Sequence, residues 1–317
     1  FLAALQLDKL FQINASYDYK DKIDNFEVSL NCLDEGALQY LTIINSEFTP
    51  ASFISADVST YTKMFFSLSE LKKKLLALLA KLEPEAITQY QEFLKMAKEN
   101  FQFDIEAFIE PIGDENEIFN VIQKDGKEEM LWLNKLKSQV NFITNFASIM
   151  NNPLVKLNLG NVFNLVENKE NESHFWALTT KSPETIGTDI SLSAGTIESY
   201  AFISAPSNMT QKQIAQIKKG SESKLSSLPA YNTARAMFPA KIGLFSFSAT
   251  KAMYTSFKTK ILEQYSAMVL EGDEESEPAK FIKLLNGLDA EDFKGNLSFG
   301  LWKEKNKLLF SLKLINK

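Results

Sequence analysis

The chain has 317 residues, 45% hydrophobic and 12% aromatic, enough apolar material for one large core or two smaller ones. Its net charge is −6, with 34 Lys and Arg against 40 Asp and Glu and no long basic run, which excludes the electrostatic footprint of a nucleic-acid partner. Arg235 is the single arginine and Cys32 the single cysteine, so arginine clamps on phosphate, an internal disulfide and multi-cysteine metal sites are excluded too.

The opening FLAALQLDKL carries neither an initiator Met nor a basic leader region and reads as an internal start. From Leu5 to Asn31 apolar and polar residues alternate on either side of KDKID, which predicts two half-buried strands joined by a polar turn. DEGALQYLTII predicts a short helix and NSEFTPAS a breaker-rich loop. Val58 to Leu68 predicts a strand leading into a helix capped by Ser69. In that helix Leu71, Leu75, Leu78, Leu79 and Leu82 recur at three- and four-residue spacing, opposite Lys72, Lys73, Lys74 and Lys81.

Pro84 starts a second helix, with Ile87, Tyr90, Phe93, Leu94 and Ala97 on its apolar face. FDIEAFIEPIGDE reads as a turn, EIFNVIQ as a strand, and Gly126 to Met150 as one long helix whose face holds Leu136, Val140, Ile143, Ala147 and Met150. NNP ends it. VKLNLGNVFNLVE, HFWALTT and TIESYAFIS follow as strands, separated by polar loops such as NKENES and TDISLSAG. Asn208 to Lys219 predicts a short helix, and LSSLPAYNTARAMFP another, interrupted by Pro229. Ile242 to Ser248 is a predicted strand, Lys251 to Leu270 a helix, GDEESEP an acidic linker and FIKLLNGL a short helix. NLSFGLWKE and KLLFSLKLI alternate about EKNK as a closing hairpin.

Two stretches share one order. FSLSELKKKLL, the helix after Pro84, an acidic turn and EIFNVI correspond to FSFSATKAMYTSF, FIKLLNGL, LDAEDFKG and NLSFGLWKE. The pattern predicts an α+β protein of duplicated strand–helix units whose strands build an antiparallel sheet covered by helices. Residues 1–47 form an opening β-hairpin and short helix that complete a preceding unit. Residues 48–204 form a first α+β repeat, and 205–317 a second, shorter one with the closing hairpin.

Ser55-Ala56-Asp57, Phe103-Asp104-Ile105-Glu106 leading to Ile112-Gly113-Asp114-Glu115, and Leu225-Ser226-Ser227-Leu228-Pro229-Ala230-Tyr231 leading to Met237-Phe238-Pro239 form a series of landmarks from Phe48 to Leu270. On these the chain resembles a family of uncharacterised bacterial exported proteins, domain of unknown function three-three-five-two. The resemblance implies repeated α+β units, export to the periplasm or cell surface, and an N-terminal half with a signal peptide before Phe1. It brings no catalytic residues.

Chemistry-bearing side chains are sparse. His174, the sole histidine, begins a predicted strand in ESHFWALTT, and no GxSxG, HExxH, P-loop or GxGxxG accompanies it, so a structural role outweighs general-base work. Cys32, at a strand end without a nearby His, reads as a structural thiol. Asp114, Glu115 and Glu117, and Asp273, Glu274, Glu275 and Glu277, supply oxygens without the alternation of a calcium loop and read as solvated turns, with Gly113 required by the first turn's backbone. Sequons occur at Asn14, Asn171, Asn208 and Asn296, a number that an Asn- and Ser-rich chain produces by chance. The leucine-rich helix is too interrupted to span a membrane and reads as core-facing, with a membrane-surface helix as the alternative.

No catalytic, cofactor or metal residues are therefore assigned. The reading ranked first is a non-enzymatic exported or cell-envelope protein that acts by binding a protein partner or by self-association. The alternatives are a carrier of lipid or another apolar ligand held between sheet and helices, and a carboxylate-based hydrolase.

Overall fold

The computed structural model describes residues 10–32, 42–122, 128–170, 173–186, 190–207, 224–266, 276–290, 293, 295–305 and 307–316. Its strands are β1 (Leu10–Lys20), β2 (Ile23–Cys32), β3 (Ser46–Glu47), β4 (Thr60–Phe65), β5 (Ile112–Ile122), β6 (Glu128–Leu136), β7 (Phe163–Glu170), β8 (Ser173–Thr180), β9 (Ser191–Ile197), β10 (Tyr200–Ala205), β11 (Lys241–Ile242), β12 (Leu244–Ala249), β13 (Gly295–Glu304) and β14 (Lys307–Asn316). The helices are α1 (Leu68–Leu82), α2 (Pro84–Phe101), α3 (Ile105–Ile109), α4 (Gln139–Asn151), α5 (Pro153–Val162), α6 (Pro183–Ile186), α7 (Pro229–Ala236), α8 (Thr250–Ser266) and α9 (Glu277–Gly287).

Twelve strands form one sheet in the order β1-β2-β14-β13-β12-β4-β5-β6-β10-β9-β8-β7, antiparallel at each pairing, while β3 and β11 pair as a small separate ribbon. With helices packed against it the fold is α+β. At the centre β4 and β12 pair antiparallel, Thr62 opposite Ser246. Each continues through helices into a two-stranded antiparallel ribbon on its own side, β5–β6 after α1–α3 and β13–β14 after α8–α9. The matching order on either side of the central pair is the arrangement expected of two copies meeting at their first strands. The opening hairpin joins through β2 and β14, Ile23 opposite Ile315. Its outer strand β1 is a sheet edge on which Ile13, Tyr17 and Tyr19 are exposed.

Alternation divides the sheet into two unlike faces. One carries Tyr61, Phe119, Leu131, Leu133, Phe175, Phe202, Phe245 and Phe247, all buried under the 48–58 segment, Tyr231 and Ala234 of α7, and Phe238. The other carries Met64, Ile118, Trp132 and Ile203 and meets α1, α3 and α4.

Several expectations are corrected. Gly126 to Met150 is not one helix, since Glu128–Leu136 is the strand β6 and helix α4 starts only at Gln139. Leu131 and Leu133 point to one face and Met130 and Trp132 to the other, and a strand apolar on both faces imitates a helical run. TDISLSAG overlaps β9 (Ser191–Ile197), whose Gly195 leaves no room for a Cβ beside the His174 carbonyl and Phe175 of the neighbouring strand. Val155 to Val162 lies in α5, not in a strand, because Pro153 takes its first position and Asn152 Oδ1 accepts from the amides of Leu154 and Val155. Pro229 likewise opens α7 rather than interrupting it. FDIEAFI forms the short helix α3, and β5 begins at Ile112, so the acidic group lies in a strand.

The cap of α1 is Ser67 rather than Ser69, its Oγ accepting from the amide of Glu70 at 3.4 Å. Of the helix's leucines only Leu78 is buried, while Leu75, Leu79 and Leu82 are 37–42% exposed. The helix packs chiefly on α2, so its apolar stripe does not rest on the sheet as expected. DEGALQYLTII up to Leu41, the helix of Asn208 to Lys219, and most of GDEESEP lie outside the described residues. No described helix is long and apolar enough to cross a membrane.

Candidate apolar cavity between sheet and helices

A cavity of about 450 Å³ lies between the second sheet face and helices α1, α3 and α4. Its roof is aromatic. Phe108 of α3 and Phe142 of α4 have ring centroids 5.1 Å apart, and Phe142 and Phe146, one helical turn apart, stack at 5.9 Å. Local chemistry holds these rings in place. Asp104 caps α3 by accepting from the amide of Ala107 at 3.0 Å, and Asn145 of α4 donates to the carbonyl of Ala107 at 2.8 Å. The hydrogen bond from Lys98, helped by the amide of Ala107, holds the Asp104 carboxyl below its ordinary pKa.

The floor combines Met64, Ile118, Trp132 and Ile203 with Ala194, Gly195 and Ala201. The void follows from this mixture, because small residues on β9 and β10 lie below phenylalanines that the helices hold away from the sheet. Trp132 and Ile203 are 39% and 38% exposed, which places the mouth at their end of the floor.

The polar side chains of the lining are Asn116 and Asn134, which are 7% and 8% exposed. They arise from an irregularity: the β5–β6 register shifts between Ile112 and Asn116, leaving Gly113 unpaired with backbone. Asn134 fills the gap. Its Oδ1 accepts from Gly113 N at 3.3 Å, and its Nδ2 donates to Gly113 O at 3.2 Å and to Asn116 Oδ1 at 2.9 Å. A Cβ at Gly113 would stand 2.3 Å from the carbonyl oxygen of Lys135, so glycine is required by this close approach and not, as expected, by a turn.

On the opposite face the acidic residues of β5 are ion-paired rather than solvated. Lys63 Nζ donates to Glu115 Oε1 at 2.7 Å, Glu117 Oε1 at 3.2 Å and the carbonyl of Thr49 at 2.5 Å. Glu117, fully buried, also accepts from Tyr61 Oη at 2.8 Å and from the amide of Ala51 at 3.0 Å. One ammonium thus holds both carboxylates and fastens the 48–51 segment, which leaves neither carboxylate placed as a separate acid and base.

Burial raises the pKa of Glu117 against the opposing pull of Lys63 and its hydrogen-bond donors, and it raises that of Tyr61 further. A raised carboxyl pKa means the folded chain holds this proton more tightly than the unfolded chain. The resulting stability is complete below the unfolded value near 4.5 and is lost as pH rises through the folded value. Wild type should therefore gain stability relative to Glu117→Gln as pH falls from 7 towards 4.5. Urea midpoints across that range check the sign, and a constant difference would mean that Glu117 does not titrate in it.

His174 lies on β8, with Nε2 2.8 Å from Glu167 Oε1 and its ring stacked on Trp176 at 4.6 Å. That hydrogen bond, followed by one from Lys169, lowers the pKa of Glu167. Thr196 Oγ1 donates to the backbone carbonyl of His174 at 3.5 Å and not to its ring. Cys32 ends β2, and its side chain lies outside the described residues, as do Asp273, Glu274, Glu275 and the sequons at Asn171 and Asn208. Glu277 is in the first turn of α9, Asn14 is on the exposed edge strand, and Asn296 is buried in β13. Among the described residues no three His, Cys, Asp or Glu side chains meet as a metal site.

The sequence admits an apolar site between sheet and helices but does not place its residues, since the walls come from five strands and three helices. The usable signals were the pair Phe142 and Phe146 and the small run Ser193-Ala194-Gly195. No family model, curated protein or solved structure matches the chain.

Proposed function

We propose that the protein acts by binding rather than catalysis, as a carrier that holds an apolar ligand between its sheet and helices. The observation that carries this reading is the cavity of about 450 Å³, which has no charged residue in its lining among the described residues and lies within the volume range of small-molecule sites. A lipid acyl chain has the shape and polarity for it. Export to the cell envelope is part of the proposal and is supported by the resemblance to the exported family.

Diphenylhexatriene, a hydrocarbon that fluoresces when it leaves water, is the test probe. Titration should give a saturable fluorescence rise at one probe per chain, with quenching of the mouth residue Trp132 that Trp132→Phe removes. Native mass spectrometry of protein purified without detergent should show lipid-sized adducts. Absence of both saturable binding and adducts would overturn the reading.

A further inference from the structure

We propose that the ligand is an uncharged amphiphile with one long apolar tail and a hydroxyl or carbonyl oxygen that accepts a hydrogen bond from Asn116 Nδ2. This rests on the cavity reading above and adds the chemistry of the head group.

Glu115 and Glu117 point to the face that Lys63 occupies, while Asn116, between them, lines the cavity. The two carboxylates that bind Lys63 are thereby kept on one side of β5 and the Asn116 amide on the other. An ionic head group drawn into this cavity would lose its hydration and meet no counter-charge, whereas a neutral oxygen loses far less.

The hydrogen-bond capacity of the two amides then selects the partner. Both Nδ2 hydrogens of Asn134 are used, on Gly113 O and Asn116 Oδ1, and its Oδ1 is taken by Gly113 N, so Asn134 serves the β5–β6 irregularity. Asn116 differs. Its Oδ1 accepts from Asn134, but among the described residues its Nδ2 has one long 3.4 Å contact, to the carbonyl of Asp114, and a primary amide has two N–H bonds to give. One donor, on a side chain only 7% exposed, is left on the cavity wall. An acceptor oxygen on the ligand satisfies it, and a quaternary ammonium, which has no lone pair to offer, does not.

The test is displacement of diphenylhexatriene from the whole chain by four ligands sharing one tail: oleyl alcohol, 1-monoolein, oleyl sulfate and oleyltrimethylammonium, each below its aggregation concentration. The alcohol and monoolein should displace at roughly tenfold lower concentration than either ion. In Asn116→Leu, the alcohol and monoolein should weaken roughly three- to tenfold relative to diphenylhexatriene measured in the same variant. Either ion displacing as well as the alcohol overturns the proposal while leaving the cavity reading intact, as does an alcohol affinity unchanged relative to diphenylhexatriene in Asn116→Leu. Failure of diphenylhexatriene to bind overturns both. The wild-type series decides by itself should the variant not fold.

Discussion

Lys63→Met should cost about 3–5 kcal/mol of stability, because it leaves Glu117 buried without its cation. The lysine side chain is 3% exposed and that of Glu117 0%, so water cannot replace the lost partner. Tyr61 and the Ala51 amide would still donate to Glu117, yet neither carries charge. Its carboxyl would take up a proton instead, at the expense of stability at neutral pH. The double variant Lys63→Met/Glu117→Leu should be more stable than Lys63→Met alone, since replacing both members of a buried pair by apolar groups removes the unmatched charge. Urea unfolding of wild type, both single variants and the double variant measures the coupling. A single-variant loss below about 1 kcal/mol, the range of exposed ion pairs, would mean that the site is wetter than its burial indicates.

Ala201→Phe should reduce diphenylhexatriene affinity at least about tenfold, the equivalent of 1.4 kcal/mol, while leaving the fold at least as stable. Ala201 stands on β10 between Asn134 of β6 and Thr196 of β9, and its methyl group is part of the cavity floor. A phenyl ring there would enter the empty space and gain contacts with the aromatic roof, in contrast to a substitution in a filled core. The control is Tyr231→Phe on the opposite face. Its buried hydroxyl has no hydrogen-bond partner among the described residues, so its removal should leave binding unchanged and stability equal or higher. Loss of binding in both variants would point to general disturbance of the sheet rather than occupation of the cavity.

How much of this was legible depended on whether a segment's two sides differ. The hairpins β1–β2 and β13–β14 announced themselves by alternation around the polar turns at Asp21-Lys22 and Lys305, and α2 by Pro84 and its stripe. β6 did not, because Leu131 and Leu133 are buried on one side while Met130 and Trp132 are apolar on the other. The acidic run of β5 read as solvated because nothing local reveals that Lys63 stands across from Glu117 on the neighbouring strand. The residues that line the cavity were hidden for a related reason, although a site between sheet and helices was among the alternatives. Ala194 and Ala201 show what is missing only when Phe108, Phe142 and Phe146, distant in sequence, are seen above them. The leucines of α1 misled in the opposite sense, since an amphipathic stripe specifies an apolar neighbour without saying how closely it will be covered.

The pairing of β2 with β14 has a consequence for the timing of folding. Asn25 accepts a hydrogen bond from Ser311, 286 residues further along the chain. At ribosomal rates of 5–20 residues per second, the first hairpin therefore waits on the order of tens of seconds for the strand that completes its edge. A two-stranded ribbon is marginal in water, and this one exposes Ile13, Tyr17 and Tyr19 meanwhile. The first hairpin thus stays a two-stranded ribbon, open along β2, until β14 is present to pair with it.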